Sequence, residues 1–402
     1  MLGPDRLPDL RPNRLSVARK ALENAGIPLL DLGESNPTRA GLAYPPDLLA
    51  PLADPRGLAY APDPRGLGAA REAVARELAR HGAVVPIDRI LLTASTSEAY
   101  AFLFKRLCRP GDEVLVPVPS YPLFELLSRL EGVEAVPYPL DAHGGWTYDA
   151  GAIEARVTPR TRAVVIVSPN NPTGTVVTTS EVRALSSLCA ERGLVLIADE
   201  VFADYRQPGA PGPACILADT ACLAVSLGGL SKAVGLPQLK LAWMAVGGPA
   251  EAVGPFVAGL ELVADTYLSV GTPVQAALPE LLERGSVVRD RIRDRIARNL
   301  STLRRHLAAT PELQLLEPSG GWTTVLRVPA TRSEETLALE LLERHHVVVQ
   351  PGYFYDFPTE AWLVVSLLVD PDVFARGLEA IVAVAANDPS KWDGTRPRDL
   401  TR

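Results

Sequence analysis

The sequence predicts an α/β fold in which helices wrap a mainly parallel sheet, followed by a smaller α+β domain. Between about residues 55 and 280, helical patterns alternate with short β-rich runs, an order typical of parallel sheets. Several of these runs are apolar throughout, as are strands that helices cover on both faces. After about residue 285 the alternation stops, and a long Arg-rich helical pattern precedes more widely separated strand segments.

Six strands are predicted for the large sheet. Each is a run of five or six residues rich in Val, Leu, Ile and Ala. Helical patterns separate several of them, at 97–107, 121–131 and 179–192. The predicted strands are RILLT (89–93), EVLVPV (113–118), AVVIVS (163–168), LVLIAD (194–199), CLAVS (222–226) and LAWMAV (241–246).

The smaller domain is predicted to use both ends of the chain. Residues 13–25 have a helical pattern, and Asn13 is placed to cap it. The C-terminal part is predicted to contain helices at 286–308, 333–345 and 371–386 and the strand segments WTTVLRV, VVVQ and WLVVSLL. We therefore expect a large domain at 51–284 and a small domain formed by 1–50 and 285–402.

Composition excludes several classes of partner. The 402 residues are 47% hydrophobic and 22% charged, with a net charge of −7 that is spread along the chain, so neither nucleic acid nor a membrane is an expected partner. The chain starts with a charged, Pro-rich stretch without an apolar run, so no signal peptide is predicted. The cysteines and histidines show no metal-ligand spacing, and we expect a cytoplasmic protein without a metal.

Polar and aromatic residues follow the predicted strands, at the sheet edge where open α/β proteins bind ligands. Ser95, Thr96 and Ser97 follow RILLT and open a helix, whose free N–H groups are suited to phosphate. An ordinary helix cap has the same sequence pattern. Tyr121 follows EVLVPV and is placed to stack on a flat ring, although an aromatic residue in such a position, taken alone, more often has only a packing role.

Three further strand ends carry an amide, a carboxylate and a lysine. Asn171 lies in SPNNPTG after AVVIVS, and Asp199 ends LVLIAD, where a carboxylate needs a cationic partner. Lys232 follows CLAVS and is one of five lysines in a chain with 35 arginines. One ligand needs all of these groups, pyridoxal 5′-phosphate (PLP), whose aldehyde forms a Schiff base with lysine. Arginine does not lose its proton and cannot replace lysine in this role, so Lys232 is the predicted nucleophile.

These motifs make the chain similar to the class I/II aminotransferases, which are fold-type I PLP-dependent enzymes. SPNNPTG and the Ser-Lys of GLSK, about 60 residues apart, carry a resemblance that extends from about residue 30 to 385. It implies that Lys232 holds PLP and moves the α-proton, that Asp199 pairs with the pyridinium nitrogen, and that Tyr121 stacks on the ring. It further implies that Asn171 contacts the phenolate oxygen of PLP and that Ser95, Thr96 and Ser97 contact its phosphate. Tyr60 would reach a phosphate across a homodimer interface, and Gly33 would lie near the substrate.

Four positions depart from the family pattern. Phe202 replaces a tyrosine that donates a hydrogen bond to the phenolate oxygen, and Tyr205 is another candidate donor. Gly229 replaces the usual serine. Lys240 replaces a phosphate-binding arginine, and offers a point charge instead of a bidentate fork. The largest departure is Val364, in WLVVSLL, at the position of the arginine that binds the substrate carboxylate.

The substrate carboxylate therefore needs another partner. Arg39 stands six residues after Gly33 in GESNPTR, and we expect it to bind the carboxylate with help from Asn36. An exposed loop arginine, one of 35, would show the same pattern.

The resemblance implies a homodimeric PLP-dependent aminotransferase that acts on an amino acid and a 2-oxo acid by a ping-pong mechanism. A PLP-dependent lyase or cyclase begins with the same proton removal, so this alternative stays open. An NAD-dependent oxidoreductase is less favoured, because GLGAAR (66–71) lacks the third glycine of the dinucleotide motif and follows no predicted strand. A non-catalytic PLP-fold regulator is also less favoured, because we expect no DNA-binding domain before residue 30.

Overall fold

The computed structural model describes residues 11–141 and 145–386. The ends of the predicted small domain, 1–10 and 387–402, lie outside the described residues, and so does most of the stretch that argues against a signal peptide. The α-helices are α1 (Arg14–Asn24), α2 (Gly68–Arg80), α3 (Thr96–Leu107), α4 (Leu123–Leu130), α5 (Ala150–Glu154), α6 (Thr179–Arg192), α7 (Leu230–Ala233), α8 (Ala250–Tyr267), α9 (Thr272–Arg284), α10 (Ser286–Leu307), α11 (Glu334–His345) and α12 (Pro371–Ala386). The strands are β1 (Leu30–Asp31), β2 (Ile90–Thr93), β3 (Glu113–Val118), β4 (Glu134–Pro139), β5 (Thr161–Val167), β6 (Val195–Asp199), β7 (Ala224–Gly229), β8 (Ala242–Gly247), β9 (Gln314–Leu316), β10 (Thr323–Arg327), β11 (Val347–Val348), β12 (Gln350–Pro351) and β13 (Trp362–Ser366).

The large sheet has seven strands in the order β2-β8-β7-β6-β5-β3-β4. Strands β3 to β7 run parallel to their neighbours in that group, and β8 runs antiparallel to both β7 and β2. The predicted fold class, a mainly parallel sheet wrapped by helices with a smaller antiparallel part, is confirmed. Because β6 lies between β5 and β7, the chain segments that follow these three strands emerge side by side.

Helices cover both faces of the large sheet, which explains its apolar strands. Along β5, Val165 belongs to the core that packs against α3 and α8, while Val164 and Ile166 belong to the core that packs against α6. Each such fully buried side chain stabilises the fold by about 1.5–3 kcal/mol. Across the described residues, no helix is both long enough and apolar enough to span a bilayer.

Several strands and helices that the sequence pattern did not predict contain proline, which is uncommon within such elements. Strand β4 contains Pro137 and Pro139, which are tolerated because β4 is the edge strand of the sheet. Helices α8 and α9 contain Pro255 and Pro279 within their helical spans.

The N-terminal segment associates with the C-terminal part of the chain. Strand β1 pairs in parallel with β11, and α1 packs against α11, where Arg14 Nη1 lies 2.9 Å from Glu335 Oε2. The second sheet is antiparallel, with the order β12-β13-β10-β9. This arrangement agrees with a small domain built from both ends of the chain, and the boundaries at residues 50 and 285 stay a prediction.

An ion-pair network joins α2, α10 and the loop after β6. It gathers Glu77, His81 and Asp204, a grouping that the sequence analysis did not predict and that is chemically suited to a metal. Arginines already pair with both carboxylates, because Arg289 Nη1 lies 3.0 Å from Glu77 Oε1 and Arg80 contacts both Glu77 and Asp204. Although burial opposes it, His81 and these arginines hold the pKa of Asp204 below its usual value. We therefore interpret the cluster as structural.

Candidate active site

Three neighbouring strands bring the central predicted residues to one edge of the large sheet. SPNNPTG, with Asn171, follows β5, Asp199 ends β6, and Lys232 lies in α7 directly after β7. Parallel neighbours end at the same edge, so the strand order places the three residues in adjacent segments. The candidate active site is therefore at the carboxyl ends of β5, β6 and β7.

Lys232 has an amino group enclosed by aromatic rings. Its Nζ lies 4.5 Å from the centroid of the Trp322 ring and 5.4 Å from that of Phe202. Burial lowers the pKa of Lys232 to about 8, and the Asp199 carboxylate acts in the opposite direction. A lysine with this pKa has an appreciable neutral fraction near neutral pH, as a nucleophile or a general base requires.

Asp199 is a buried carboxylate with weak internal partners. Burial raises its pKa to about 6, against the effects of the Val201 N–H, the Tyr100 hydroxyl and the charge of Lys232. The Val201 N–H and the Tyr100 hydroxyl each donate a hydrogen bond to this carboxylate. Both bonds are 3.3 Å long, at the long end of hydrogen-bond distances. A protonated ring nitrogen placed beside this carboxylate would provide the charge partner that burial demands. The site therefore fits the pyridinium group of PLP.

Tyr121 and Asn171 present the groups that a ring ligand needs. The side chain of Tyr121 is 47% exposed, and burial and the nearby Asp199 charge both raise the pKa of its phenol. The Thr323 hydroxyl lies 3.1 Å from the Pro172 carbonyl oxygen and 3.3 Å from Asn171 Oδ1, both of which are acceptors, so the amide nitrogen of Asn171 is the group left to donate to a ligand. Both residues thus stay predicted PLP contacts.

Ser95 acts as a helix cap in the structure. Its Oγ accepts a hydrogen bond from the Glu98 N–H at 3.1 Å and caps α3, which agrees with the simpler interpretation of the sequence. Thr96 and Ser97 form the first turn of α3, whose N–H groups have no partner within the helix. Phosphate binding by this turn stays a prediction.

Lys240 and Tyr60 are two exposed residues among the predicted PLP contacts. Lys240 has a left-handed backbone with φ 51° at the end of a single helical turn, and its side chain is exposed. Tyr60 is 82% exposed, next to Leu58, which is 90% exposed. The predicted contact of Lys240 to the phosphate of its own chain stays a prediction. The predicted contact of Tyr60 to a phosphate across a subunit interface also stays a prediction.

The structure shows how the residues at two departures from the family pattern, Phe202 and Gly229, are packed. Phe202 is buried and packs edge-on against Trp322, with ring centroids 5.4 Å apart. The Tyr205 hydroxyl donates to the backbone carbonyl of Lys232 at 2.6 Å, so Tyr205 does not replace the missing donor at position 202. A Cβ at Gly229 would lie only 3.0 Å from the Cβ of Ala242, so β8 leaves little room for a serine there.

The substrate side of the predicted site contains no arginine at position 364. Val364 is 1% exposed within β13, where it lies opposite Val325. The Asn36 Oδ1 accepts hydrogen bonds from the N–H and the hydroxyl of Thr38, at 3.0 Å and 2.8 Å, and so stabilises its own loop. Arg39 is exposed, and no described residue accepts a hydrogen bond from its guanidinium. Roles for Gly33, Asn36 and Arg39 in substrate binding stay predictions.

Tyr100 and Trp322 contact the site but were not identified from the sequence. Tyr100 lies four residues after Thr96, so it is on the same face of α3 as the predicted phosphate-binding turn, and that spacing is a signal that could have found it. Trp322 directly precedes β10 and is distant in sequence from the other motifs. Only tertiary packing brings it to Lys232.

Known proteins are similar to this chain in sequence. A family model for aminotransferase class I and II matches residues 25–381. The chain belongs to the class I and II aminotransferases. The alanine aminotransferase of Mycobacterium tuberculosis is 29% identical over 348 residues, which cover 84% of this chain and 81% of that protein. The glutamate-pyruvate aminotransferase AlaA of Escherichia coli is 27% identical over 359 residues, 87% of this chain and 88% of that protein.

A solved structure shows the same fold. An aminotransferase from Escherichia coli superimposes with a TM-score of 0.84 at 24% identity, over 97% of this chain and 99% of that one. The resemblance seen in the sequence is thus confirmed, and the protein is a PLP-dependent aminotransferase. The donor set at the end of β6 and β7, a buried carboxylate and a lysine with a lowered pKa, is chemically matched to PLP.

Proposed function

We propose that this aminotransferase moves the amino group of an amino acid to a 2-oxo acid in two half-reactions at one site, with pyruvate as the acceptor. The observation that supports PLP chemistry at one site is that Asp199 and Lys232 lie at the ends of neighbouring strands, where burial raises the pKa of the carboxyl and lowers that of the lysine. The names of the two curated relatives, an alanine and a glutamate-pyruvate aminotransferase, support pyruvate as the acceptor and alanine or glutamate as donors.

Lys232 is positioned to move the proton of the reaction. When bound, PLP supplies an electron sink for the electron pair that remains after the α-proton is removed. The Lys232 Nζ, with a pKa of about 8, would take that proton from the α-carbon and carry it while the amino group is transferred. Trp322 and Phe202 enclose Nζ and limit the access of water.

The surrounding residues hold and orient the cofactor. The Asp199 carboxylate, kept in place by the Tyr100 hydroxyl, pairs with the ring nitrogen and keeps it protonated. Asn171 donates its amide to the phenolate oxygen, and Tyr121 covers one face of the ring. The turn at Ser95, Thr96 and Ser97, with the charge of Lys240, binds the phosphate.

We further propose a cytoplasmic homodimer. Leu58 and Tyr60 form an exposed apolar stretch that a second subunit would cover, and Tyr60 would then reach the phosphate in that subunit. The four cysteines, Cys108, Cys189, Cys215 and Cys222, are free, which supports a reducing compartment.

A half-reaction separates this function from its alternative. Alanine or glutamate alone should convert the absorbance of the PLP-loaded protein to that of the aminated cofactor, and pyruvate should restore it. A lyase or cyclase would release its product and leave the absorbance of bound PLP unchanged after the donor is consumed. A stable absorbance with consumption of the donor would therefore contradict the proposal.

A further inference from the structure

The side chain of Gln350 lies on the same face of the small sheet as Val364. Strand β12 pairs with β13 so that Gln350 is opposite Val364, and Val364 is in turn opposite Val325. Side chains of directly opposed residues point to the same face, and so do residues two apart in a strand. Thr323 is two residues before Val325, and its hydroxyl lies 3.3 Å from Asn171 Oδ1. The face that carries Gln350 is therefore the face that meets Asn171.

Gln350 is held so that its amide nitrogen is the group on offer. The Tyr355 hydroxyl donates to Gln350 Oε1, and the Tyr355 carbonyl accepts from the Ser120 N–H at 3.1 Å, next to Tyr121. These bonds connect Gln350 to the segment that carries the predicted stacking ring. Among the described residues, none accepts a hydrogen bond from Gln350 Nε2, and this nitrogen is not among the buried polar atoms that lack a partner.

Gly33 leaves this nitrogen uncovered. A Cβ on Gly33 would lie 3.1 Å from Gln350 Nε2 and 3.3 Å from its Cγ, so the bare backbone of Gly33 passes directly beside the amide. Any larger residue at position 33 would crowd Nε2 or displace it. The Gly33 loop and Gln350 therefore lie together beside Val364, which is buried with Val325 in the apolar core of the small sheet.

We propose that Gln350 determines substrate specificity by donating from Nε2 to the group on the α-carbon of the substrate, in the place of the arginine that Val364 lacks. This inference rests on the proposed function. An arginine strongly favours a carboxylate, because charge-assisted hydrogen bonds are about twice as strong as neutral ones. A neutral amide donates to a carboxylate and to the carbonyl of a carboxamide with more similar strength. The substrate class is therefore amines whose α-substituent is a hydrogen-bond acceptor, charged or neutral.

Two arginines are the other candidates for this role. Arg327 lies on the same face as Val325 but two residues farther from Thr323, and its guanidinium packs over the Trp362 ring at 5.5 Å from the centroid. Arg39 is exposed, and its replacement provides the matched comparison for Gln350.

The test uses propionate and propionamide, which have the same shape and differ in charge, with dissociation constants measured by ligand-observed NMR on the PLP-loaded protein. We expect the wild type to bind the two probes with constants within about tenfold of each other. Gln350→Leu should weaken both by about tenfold, because it removes the donor at similar volume. Gln350→Glu should weaken propionate by well over tenfold and retain propionamide, because its carboxylate repels an anion but accepts from an amide N–H2.

Two further variants complete the design. Tyr355→Phe keeps Gln350 but removes its anchor, and should weaken both probes by a few-fold. Arg39→Ala compares the two candidate partners of the carboxylate, and retention of both probes within twofold would assign this role to Gln350 and not to Arg39. Thermal unfolding of each variant, measured alongside, identifies any that fail to fold, and the two Gln350 variants are compared with each other so that the change in charge preference does not depend on stability.

Several results would overturn the inference. One is that Gln350→Leu and Gln350→Glu each leave both constants within twofold. Another is that Arg39→Ala abolishes binding of propionate and spares propionamide, which would assign the carboxylate to Arg39. The function is assessed separately with the same wild-type sample, by the absorbance change with alanine or glutamate. If that change is absent while the probes still depend on Gln350, the transfer reaction fails and the binding role of Gln350 stands.

Discussion

The hydroxyl of Tyr205 donates a hydrogen bond to the backbone carbonyl of Lys232, with 2.6 Å between the two oxygens. This bond ties the loop after β6 to the turn that carries the lysine, and it uses the only proton of the hydroxyl. Phe202, three residues before Tyr205, has no hydroxyl at all. The phenolate oxygen of PLP, when bound, would therefore have no hydrogen-bond donor at position 202, and the Tyr205 hydroxyl is already used.

Phe202→Tyr should lower the pKa of the nitrogen that links Lys232 to PLP by about one to two units. A hydrogen bond to a charged oxygen contributes roughly 1.5–3 kcal/mol, and one pKa unit corresponds to about 1.4 kcal/mol. The new hydroxyl would stabilise the deprotonated linkage, because in that state the phenolate charge is not compensated by the neighbouring proton. A spectrophotometric pH titration of the PLP-loaded protein measures the shift.

Tyr205→Phe is the matched control for this titration. It removes a hydroxyl that is bound to the Lys232 carbonyl, and we expect the pKa of the linkage to change by less than about half a unit. An unchanged pKa in Phe202→Tyr would show that position 202 does not face the phenolate oxygen.

Lys232→Ala and Lys232→Arg should both bind PLP without a covalent bond and lose turnover. Alanine has no amine, and arginine keeps the charge but does not lose its proton, so neither supplies the nucleophile or the base. Mass spectrometry after borohydride reduction should detect PLP on the wild-type peptide that contains residue 232 and not on either variant. Lys240→Ala is the control, and should keep the covalent adduct. An adduct that persists in Lys232→Ala would assign the linkage to another lysine.

The rate of covalent attachment of PLP should rise with pH up to about 8 and then level off. Burial lowers the pKa of Lys232 to about 8, so below that pH the neutral amine decreases about tenfold for each pH unit. An exposed lysine would instead keep gaining neutral amine up to about pH 10. Stopped-flow absorbance on the PLP-free protein gives the profile, and a rate that still rises steeply between pH 9 and 10 would show that Lys232 is not desolvated.

The sequence predicted the residues that follow strands far better than those that arrive by tertiary packing. Asn171, Asp199 and Lys232 each follow a buried apolar run, so local pattern and parallel order were sufficient to place them at one edge. Tyr100 and Trp322 have no comparable local signal, and their proximity to Asp199 and Lys232 depends on how α3 and the small sheet pack.

The same limit applies to the substrate side. The absence of arginine at Val364 is visible in the sequence, but what stands beside it depends on strand register, and register comes from pairing between distant segments. Arg39 is a predicted carboxylate partner because it is close to Gly33 along the chain. Gln350 lies beside Gly33 in space, although 317 positions separate them in sequence.

Asp199→Asn should stabilise the PLP-free protein at pH 8 and weaken its binding of PLP. Burial raises the pKa of Asp199 from 3.8 to about 6, so the protonated carboxyl favours the fold below pH 3.8, and this contribution is lost as the group ionises while the pH rises through about 6. At pH 8 the ionised group therefore destabilises the fold by up to about 3 kcal/mol, since one pKa unit corresponds to about 1.4 kcal/mol. Asparagine carries no charge, so it removes this cost while the PLP nitrogen loses its partner.

Urea unfolding of the PLP-free protein at pH 8 and pH 4.5, together with the dissociation constant of PLP, measures both effects of Asp199→Asn. The gain in the free energy of unfolding should be largest at pH 8 and small at pH 4.5, where the wild-type carboxyl is mostly protonated. Asp204→Asn is a control of opposite sign, because His81 and Arg80 hold the pKa of Asp204 below its usual value and its charge stabilises the fold. Asp204→Asn should therefore destabilise the protein at pH 8. If Asp199→Asn destabilised the PLP-free protein equally at both pH values, Asp199 would be held by partners strong enough to need no cofactor, and its assignment to the ring nitrogen would be wrong.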